Sequence, residues 1–85
     1  MEIVYLPQAL DDLKFWRKSG NKPAQKRITE LLESIEQTPF EGIGKPELLK
    51  YDLAGKWSRR ITKEHRMIYE MEGNTVFIYS LRGHY

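Results

Sequence analysis

The chain has no cysteine, only two histidines, and no long uninterrupted apolar run. Without thiols there is no disulfide framework and no thiolate nucleophile, and two histidines alone do not make a closed structural zinc site. No stretch approaches the roughly 18 apolar residues of a membrane span. The first residues, Met1-Glu2-Ile3-Val4-Tyr5, also lack the basic segment and apolar core of a signal peptide. A soluble, cytoplasmic protein with no membrane partner is expected. Glycine and proline are sparse as well, at six and four in 85 residues, and four of those ten fall between positions 39 and 46. One long loop is therefore expected there, with short connections elsewhere. Residues 1–85 read as a single domain with a thin core, since a chain this short buries only about two thirds of its unfolded surface.

Net charge is also small, +2, but it is unevenly spread. Residues 45 to 66 hold Lys45, Lys50, Lys56, Arg59, Arg60, Lys63 and Arg66 against Glu47, Asp52 and Glu64, seven cations against three anions, or +4. The remainder is net −2. A basic stretch on a nearly neutral protein suits phosphate contact, and equally an acidic protein partner.

The spacing predicts a short strand over residues 2 to 6, turned into a helix by Pro7. Leu6, Leu10, Leu13 and Trp16 or Arg17 follow helical spacing, with Asp11 and Asp12 early, Lys14, Arg17 and Lys18 late, and Ser19-Gly20-Asn21 as the stop. A second helix is clearer: Ala24, Ile28, Leu31, Leu32 and Ile35 form one apolar stripe, ending before Thr38-Pro39. After the loop, β-like runs cover 48 to 53, 57 to 62, 65 to 71 and 75 to 81, broken at Ala54-Gly55, Lys63-Glu64 and Gly73-Asn74. The economical architecture is α+β: two N-terminal helices packed on one face of a mostly antiparallel sheet of four to five strands, the N-terminal strand included. The opposite face is left for function.

That sheet carries more charge than folding requires. Trp57-Ser58-Arg59-Arg60-Ile61, His65-Arg66-Met67-Ile68-Tyr69 and Arg82-Gly83-His84-Tyr85 mix cations and histidines into β-branched and aromatic runs. An RNA-cutting site built from side chains needs a base for the 2′-hydroxyl, a cation for the phosphate and an acid for the leaving 5′-oxygen. Glu47 and Lys50 can serve near the nucleophile, Arg59, Arg60, Arg66 and Arg82 can clamp phosphate, and His84 can exchange a proton near neutral pH.

Each candidate has a plainer reading. Glu47 fits a loop carboxylate beside Lys45 or Lys50, and His65 a solvated or backbone-bonded turn residue, so His65 stays outside the site. Tyr69, Phe77 and Tyr79 read as packing residues, and Trp57 is undecided. Arg59 and Arg60 must point to opposite faces, so at most one clamps phosphate on a given face; Arg59 and Lys63 read as docking or solvated. Strand register decides the rest. A two-residue Gly73-Asn74 turn puts Arg66 on the face of Leu81, whereas a three-residue loop or one bulge brings Arg66, Arg82 and His84 to one face.

The run from Thr38 to Lys50 (TPFEGIGKPELLK), the run from Gly55 to Tyr69 (GKWSRRITKEHRMIY) and the closing His84-Tyr85 together resemble the YoeB (Txe/YoeB) toxins of the RelE-like superfamily. The likeness spans nearly the whole chain. It implies a RelE-like α+β fold and a bacterial toxin that cuts mRNA in the ribosomal A site without a cofactor or metal. The cut leaves a 2′,3′-cyclic phosphate and a 5′-hydroxyl. By position, the resemblance makes Glu47 the general base, Arg66 the phosphate-stabilising cation and His84 the general acid. Lys50, Arg60 and Tyr85 become supporting, RNA-binding residues. The implied partners are mRNA on the ribosome, with 16S rRNA and A-site contacts, a YefM-type antitoxin, and a second copy in a homodimer. Gly83 departs from the family pattern, which has a bulkier residue before the His-Tyr pair. The alternative is a non-catalytic module that binds RNA or antitoxin.

Overall fold

A computed structural model of the chain describes residues 1 to 83. The elements run β1 (Glu2–Tyr5), α1 (Pro7–Ser19), α2 (Lys22–Gln37), β2 (Glu47–Leu48), a 3₁₀ turn at Tyr51–Leu53, β3 (Trp57–Arg60), β4 (Arg66–Glu72) and β5 (Thr75–Ser80). Pro7 opens α1, where its missing N–H leaves nothing unpaired, and Gly20 closes it in the left-handed conformation at φ +71°. The Asn21 side chain caps α2 by accepting the Ala24 N–H at 3.0 Å.

The apolar stripe of α2 is buried as its spacing predicts, at Ala24, Ile28, Leu31 and Ile35, with Leu32 packed partly against the core. In α1 the expected stripe holds at Leu13 and Trp16 but not at Leu10, and Ala9 and Asp12 join the inward face. Ala9, Asp12 and Trp16 point inward, while Leu10 is 48% exposed. Hydrophobicity alone misplaces this stripe because two of its inward residues are held by hydrogen bonds: Trp16 donates to the Leu81 carbonyl and Asp12 accepts the Leu81 N–H.

The sheet has five strands in the order β1-β5-β4-β3-β2, with β1 parallel to β5 and the other pairs antiparallel. The helices cover one face, where Met67, Tyr69, Val76 and Ile78 meet Ile28, Leu31 and Ile35 in the core. Ile68 lies between two of those core residues, so the pleat turns it to the other face. The expected strand over 48 to 53 does not form. Tyr51 sits at φ +58°, which ends the pleat, and the Leu53 and Ala54 N–H groups close a 3₁₀ turn on the carbonyls of Lys50 and Tyr51.

The turn between β4 and β5 is the two-residue Gly73-Asn74, since Glu72 faces Thr75, and only its first position has a positive φ, as in a type II′ hairpin. A bulge follows within the same hairpin. Tyr69 faces Ile78, but Ile68 faces Ser80, so Tyr79 is the extra residue. The tight turn and the bulge, weighed as alternatives from the sequence, occur together.

Candidate active site

The loop over residues 38 to 46 is organised around Arg59, which is fully buried on the helix-covered side of β3. Its Nε donates to the Tyr69 hydroxyl at 3.0 Å, Nη1 to Ser34 Oγ at 2.6 Å and the Ile43 carbonyl at 3.1 Å, and Nη2 to the Thr38 and Glu41 carbonyls, both at 2.8 Å. A guanidinium has five N–H groups, and all five are used. No carboxylate is among the acceptors. The buried charge is instead stabilised by converging carbonyl dipoles and hydroxyls. Tyr69 extends the network by donating to the Pro39 carbonyl at 2.7 Å. Docking or solvation, the role expected for Arg59, is therefore corrected: one side chain gathers three carbonyls of an irregular segment that has no ladder of its own.

The glycines in this loop allow close approach. A Cβ on Gly42 would come within 2.5 Å of Ser34 Oγ, and one on Gly44 within 2.6 Å of a Leu31 methyl. The loop thus lies against α2 and runs into β2, with the Arg60 N–H bonded to the Gly44 carbonyl at 2.7 Å. Lys45 and Tyr51 are the non-glycine residues at positive φ among those described, and they bracket the stretch holding Glu47 and Lys50. Such strained positions cluster at functional sites. Glu47, Lys50 and Tyr51 are exposed and line one groove with Leu48 and Leu53.

Strand register then gathers the charged candidates. Glu47 pairs with Ser58 across β2 and β3, and Arg60 pairs with Arg66 across β3 and β4. Ser58 and Arg60 are two apart on one strand, so Glu47, Arg60 and Arg66 all belong to the face away from the helices. Arg60 is exposed and Arg66 half-buried. Two cations directly opposite each other oppose sheet formation by a few tenths of a kcal/mol or more. An anion bound between them would reverse that sign.

The end of the described chain is held from three sides. Leu81 receives both bonds from α1: its N–H goes to Asp12 Oδ2 at 2.9 Å and its carbonyl accepts Trp16 Nε1–H at 2.7 Å. Gly83 donates its N–H to His65 Nδ1 at 2.8 Å and accepts the Arg66 N–H at 3.1 Å. Its φ of +86° is one that a side chain would resist, which accounts for a glycine at this position. Arg82 does not join Arg66; its guanidinium lies 3.6 Å above the Phe15 ring. His65 is backbone-bonded, as one plain reading has it, though its partner is Gly83 rather than its own turn. Trp57 is half-buried with its ring 4.9 Å from Phe40. His84 and Tyr85 lie outside the described residues. Among the described residues, no three His, Asp or Glu side chains converge on a metal position, and no helix is long and apolar enough to cross a membrane.

Asp12 and Trp16 organise this end of the sheet, a role that their helical spacing alone does not assign. One signal was available: Asp12 shares a helix face with Trp16 four residues on, and a carboxylate there needs a buried donor.

A family profile for the YoeB-like toxin of bacterial type II toxin-antitoxin systems matches residues 5–85. The chain is 42% identical over 85 residues to Toxin YoeB of Escherichia coli strain K12, covering 100% of both. A YoeB/ParE toxin structure from Agrobacterium tumefaciens superimposes with a TM-score of 0.93 at 40% identity, again over 100% of both chains. YoeB of Staphylococcus aureus, solved in a YoeB-YefM complex, gives 0.90 at 45% identity, with 100% of this chain and 98% of that one covered. Solved as a dimer, it gives 0.91 at 44% identity with the same coverage. With the fold and the matched length in agreement, the chain belongs to the YoeB-like toxins of bacterial type II toxin-antitoxin systems.

Proposed function

We propose that this toxin is a ribosome-dependent endoribonuclease that cuts mRNA in the A site and so stops translation in the cytoplasm. The observation that carries the reading is the register that gives Glu47, Arg60 and Arg66 a common sheet face, with Lys50 next to them in the strained turn. In this scheme Glu47 takes the proton from the 2′-hydroxyl, and the 2′-oxygen attacks the adjacent phosphorus. Arg66, helped by Arg60, holds the phosphate oxygens as charge builds on them. His84 gives a proton to the departing 5′-oxygen, leaving a 2′,3′-cyclic phosphate and a 5′-hydroxyl. Lys50 and Tyr85 support RNA binding. Base, cation and acid are all side chains, so the scheme routes no step through a metal.

The partners follow from the same surface. The +4 segment over residues 45 to 66 suits ribosomal RNA and also an acidic antitoxin segment. The S. aureus YoeB-YefM complex and YoeB dimer support a YefM-type antitoxin and a homodimer for this chain.

Purified protein is incubated with ribosomes carrying a defined mRNA, 5′ ends are mapped, and naked RNA serves as the control. Cuts confined to the A-site codon are expected. Glu47→Ala, Arg66→Ala and His84→Gln should each slow cleavage by about 10² to 10⁴ while remaining folded. Full activity in all three variants would sink the proposal, leaving a module that binds RNA or antitoxin without cutting.

A further inference from the structure

Three side chains from two separate parts of the chain converge on the backbone of residues 81 to 83, and none of them belongs to the proposed catalytic set. Asp12 and Trp16 come from α1, and His65 from the turn before β4. Asp12 is 2% and Trp16 4% exposed, so their bonds to Leu81 compete little with water. Asp12 is itself oriented by Gln8, whose side-chain N–H donates to Oδ1 at 2.9 Å. The imidazole of His65 stands edge-on to the Trp16 indole, with ring centroids 5.0 Å apart at 90°. The Gly83 N–H points at Nδ1, so this nitrogen is the acceptor of the pair.

A strand can be ended with far less than this. Beyond Ser80 the chain has left β5, yet its backbone is still held by one carboxylate, one indole and one imidazole. We infer that Asp12, Trp16 and His65 are positioning residues for the acid step: they fix the backbone through Gly83, to which His84 is joined. None touches the reacting atoms. The inference rests on the proposed cleavage reaction and adds to it the residues on which the acid depends.

General-acid chemistry offers a readout that a merely structural role would not move. When the scissile 5′-oxygen of the mRNA is replaced by sulfur, the leaving group departs as a thiolate, a far weaker base than an alkoxide, so departure needs no proton donor. Loss of positioning should therefore slow the oxygen substrate and spare the sulfur one. On programmed ribosomes, His65→Ala is expected to cut the oxygen substrate about 10²-fold more slowly, the scale of a misplaced catalytic group. It should cut the sulfur substrate close to the wild-type rate. His65→Asn, which presents Oδ1 where Nδ1 stood, should recover most of the loss. Trp16→Phe, which keeps the ring packing but removes the donor to Leu81, should show the same selective defect and keeps the test open if His65→Ala does not fold.

The failures separate cleanly. If the wild type cuts neither translated substrate, the cleavage reaction itself falls, and this inference with it. If the wild type cuts both while the variants are unaffected, or are slowed equally on oxygen and sulfur, cleavage stands and the positioning role is overturned.

Discussion

Arg59 shows how much one side chain can decide. An arginine in a strand next to another arginine invites a phosphate-binding reading, yet burial with five donors satisfied by oxygen makes it the organiser of the loop that carries the chain to Glu47. Lysine offers three donors from a single point and cannot reach five separated acceptors. Arg59→Lys is therefore expected to lower the unfolding free energy by about 2 to 4 kcal/mol, through buried carbonyls left unpaired. Urea unfolding measures this; an unchanged midpoint would restore the docking role. The Tyr69 hydroxyl is the other centre of the network. Burial pushes its pKa above the ordinary value near 10, an effect that the hydrogen bond and charge of Arg59 oppose only in part. The native state thus holds the proton more tightly than the unfolded chain does. The resulting stability is full below pH 10 and is lost as the pH rises through the folded-state value. Tyr5, raised by burial, and Tyr79, raised chiefly by its hydrogen bond to Glu70, act in the same direction. Tyr69→Phe should cost about 1 to 3 kcal/mol at neutral pH, from the unpaired Pro39 carbonyl and Arg59 Nε. It should also lose less stability than the wild type between pH 9 and about 11, as urea midpoints across that range would record.

Among the elements, the β4–β5 hairpin sets the geometry of the site through one extra residue. With the Gly73-Asn74 turn alone, Arg66 would lie opposite Leu81 and share its face. The bulge at Tyr79 slides the ladder, so Ile68 faces Ser80 and Leu81 returns to the core, where α1 binds its backbone. A single slip reverses every later side chain. Deleting Tyr79 removes the extra residue and leaves Ser80 facing Ile68 in an unbroken ladder, so Leu81 is expected to stay on the core face beneath Trp16. The thermal midpoint should change little, and the amide at residue 81 should stay protected from exchange. Loss of that protection would show that the chain beyond Ser80 needs the bulge itself and not only the register. Helix α1 belongs to the same argument, since its buried face is fixed by what Asp12 and Trp16 bind rather than by the leucines.

At the scale of the whole molecule, the sheet divides the labour. One face, under α1 and α2, holds the core, and the buried Arg59 lies on that side. The other presents Glu47, Arg60 and Arg66 in a basic segment on a protein of nearly neutral charge. Separating the two tasks keeps Arg60, which is exposed, and Arg66, which is half-buried, out of the apolar core. The parallel pairing of β1 with β5 closes the fold around the strand that leads into the chain end. For a YoeB-like toxin this means that the helices, which lie behind the proposed site, can still act on it through the backbone of residues 81 to 83.

By itself, the sequence determined the α+β class, the second helix, the long loop, the break at Gly73-Asn74 and the family, because each is written in local spacing or in a contiguous motif. The period-3.6 stripe of α2, the Pro and Gly cluster at 39 to 46 and the Gly73-Asn74 pair are all read within a few residues. It also named Glu47, Arg60 and Arg66 as candidates. What only the tertiary structure decided was direction and partnership: the inward face of α1, the burial of Arg59, the bulge at Tyr79, the packing of Arg82 on Phe15, and the convergence of Asp12, Trp16 and His65 on one backbone segment. These depend on contacts between residues as many as 69 positions apart. A charged or polar side chain has the same sequence signature whether it meets water or a buried carbonyl, and only the folded chain supplies the partner that makes the difference.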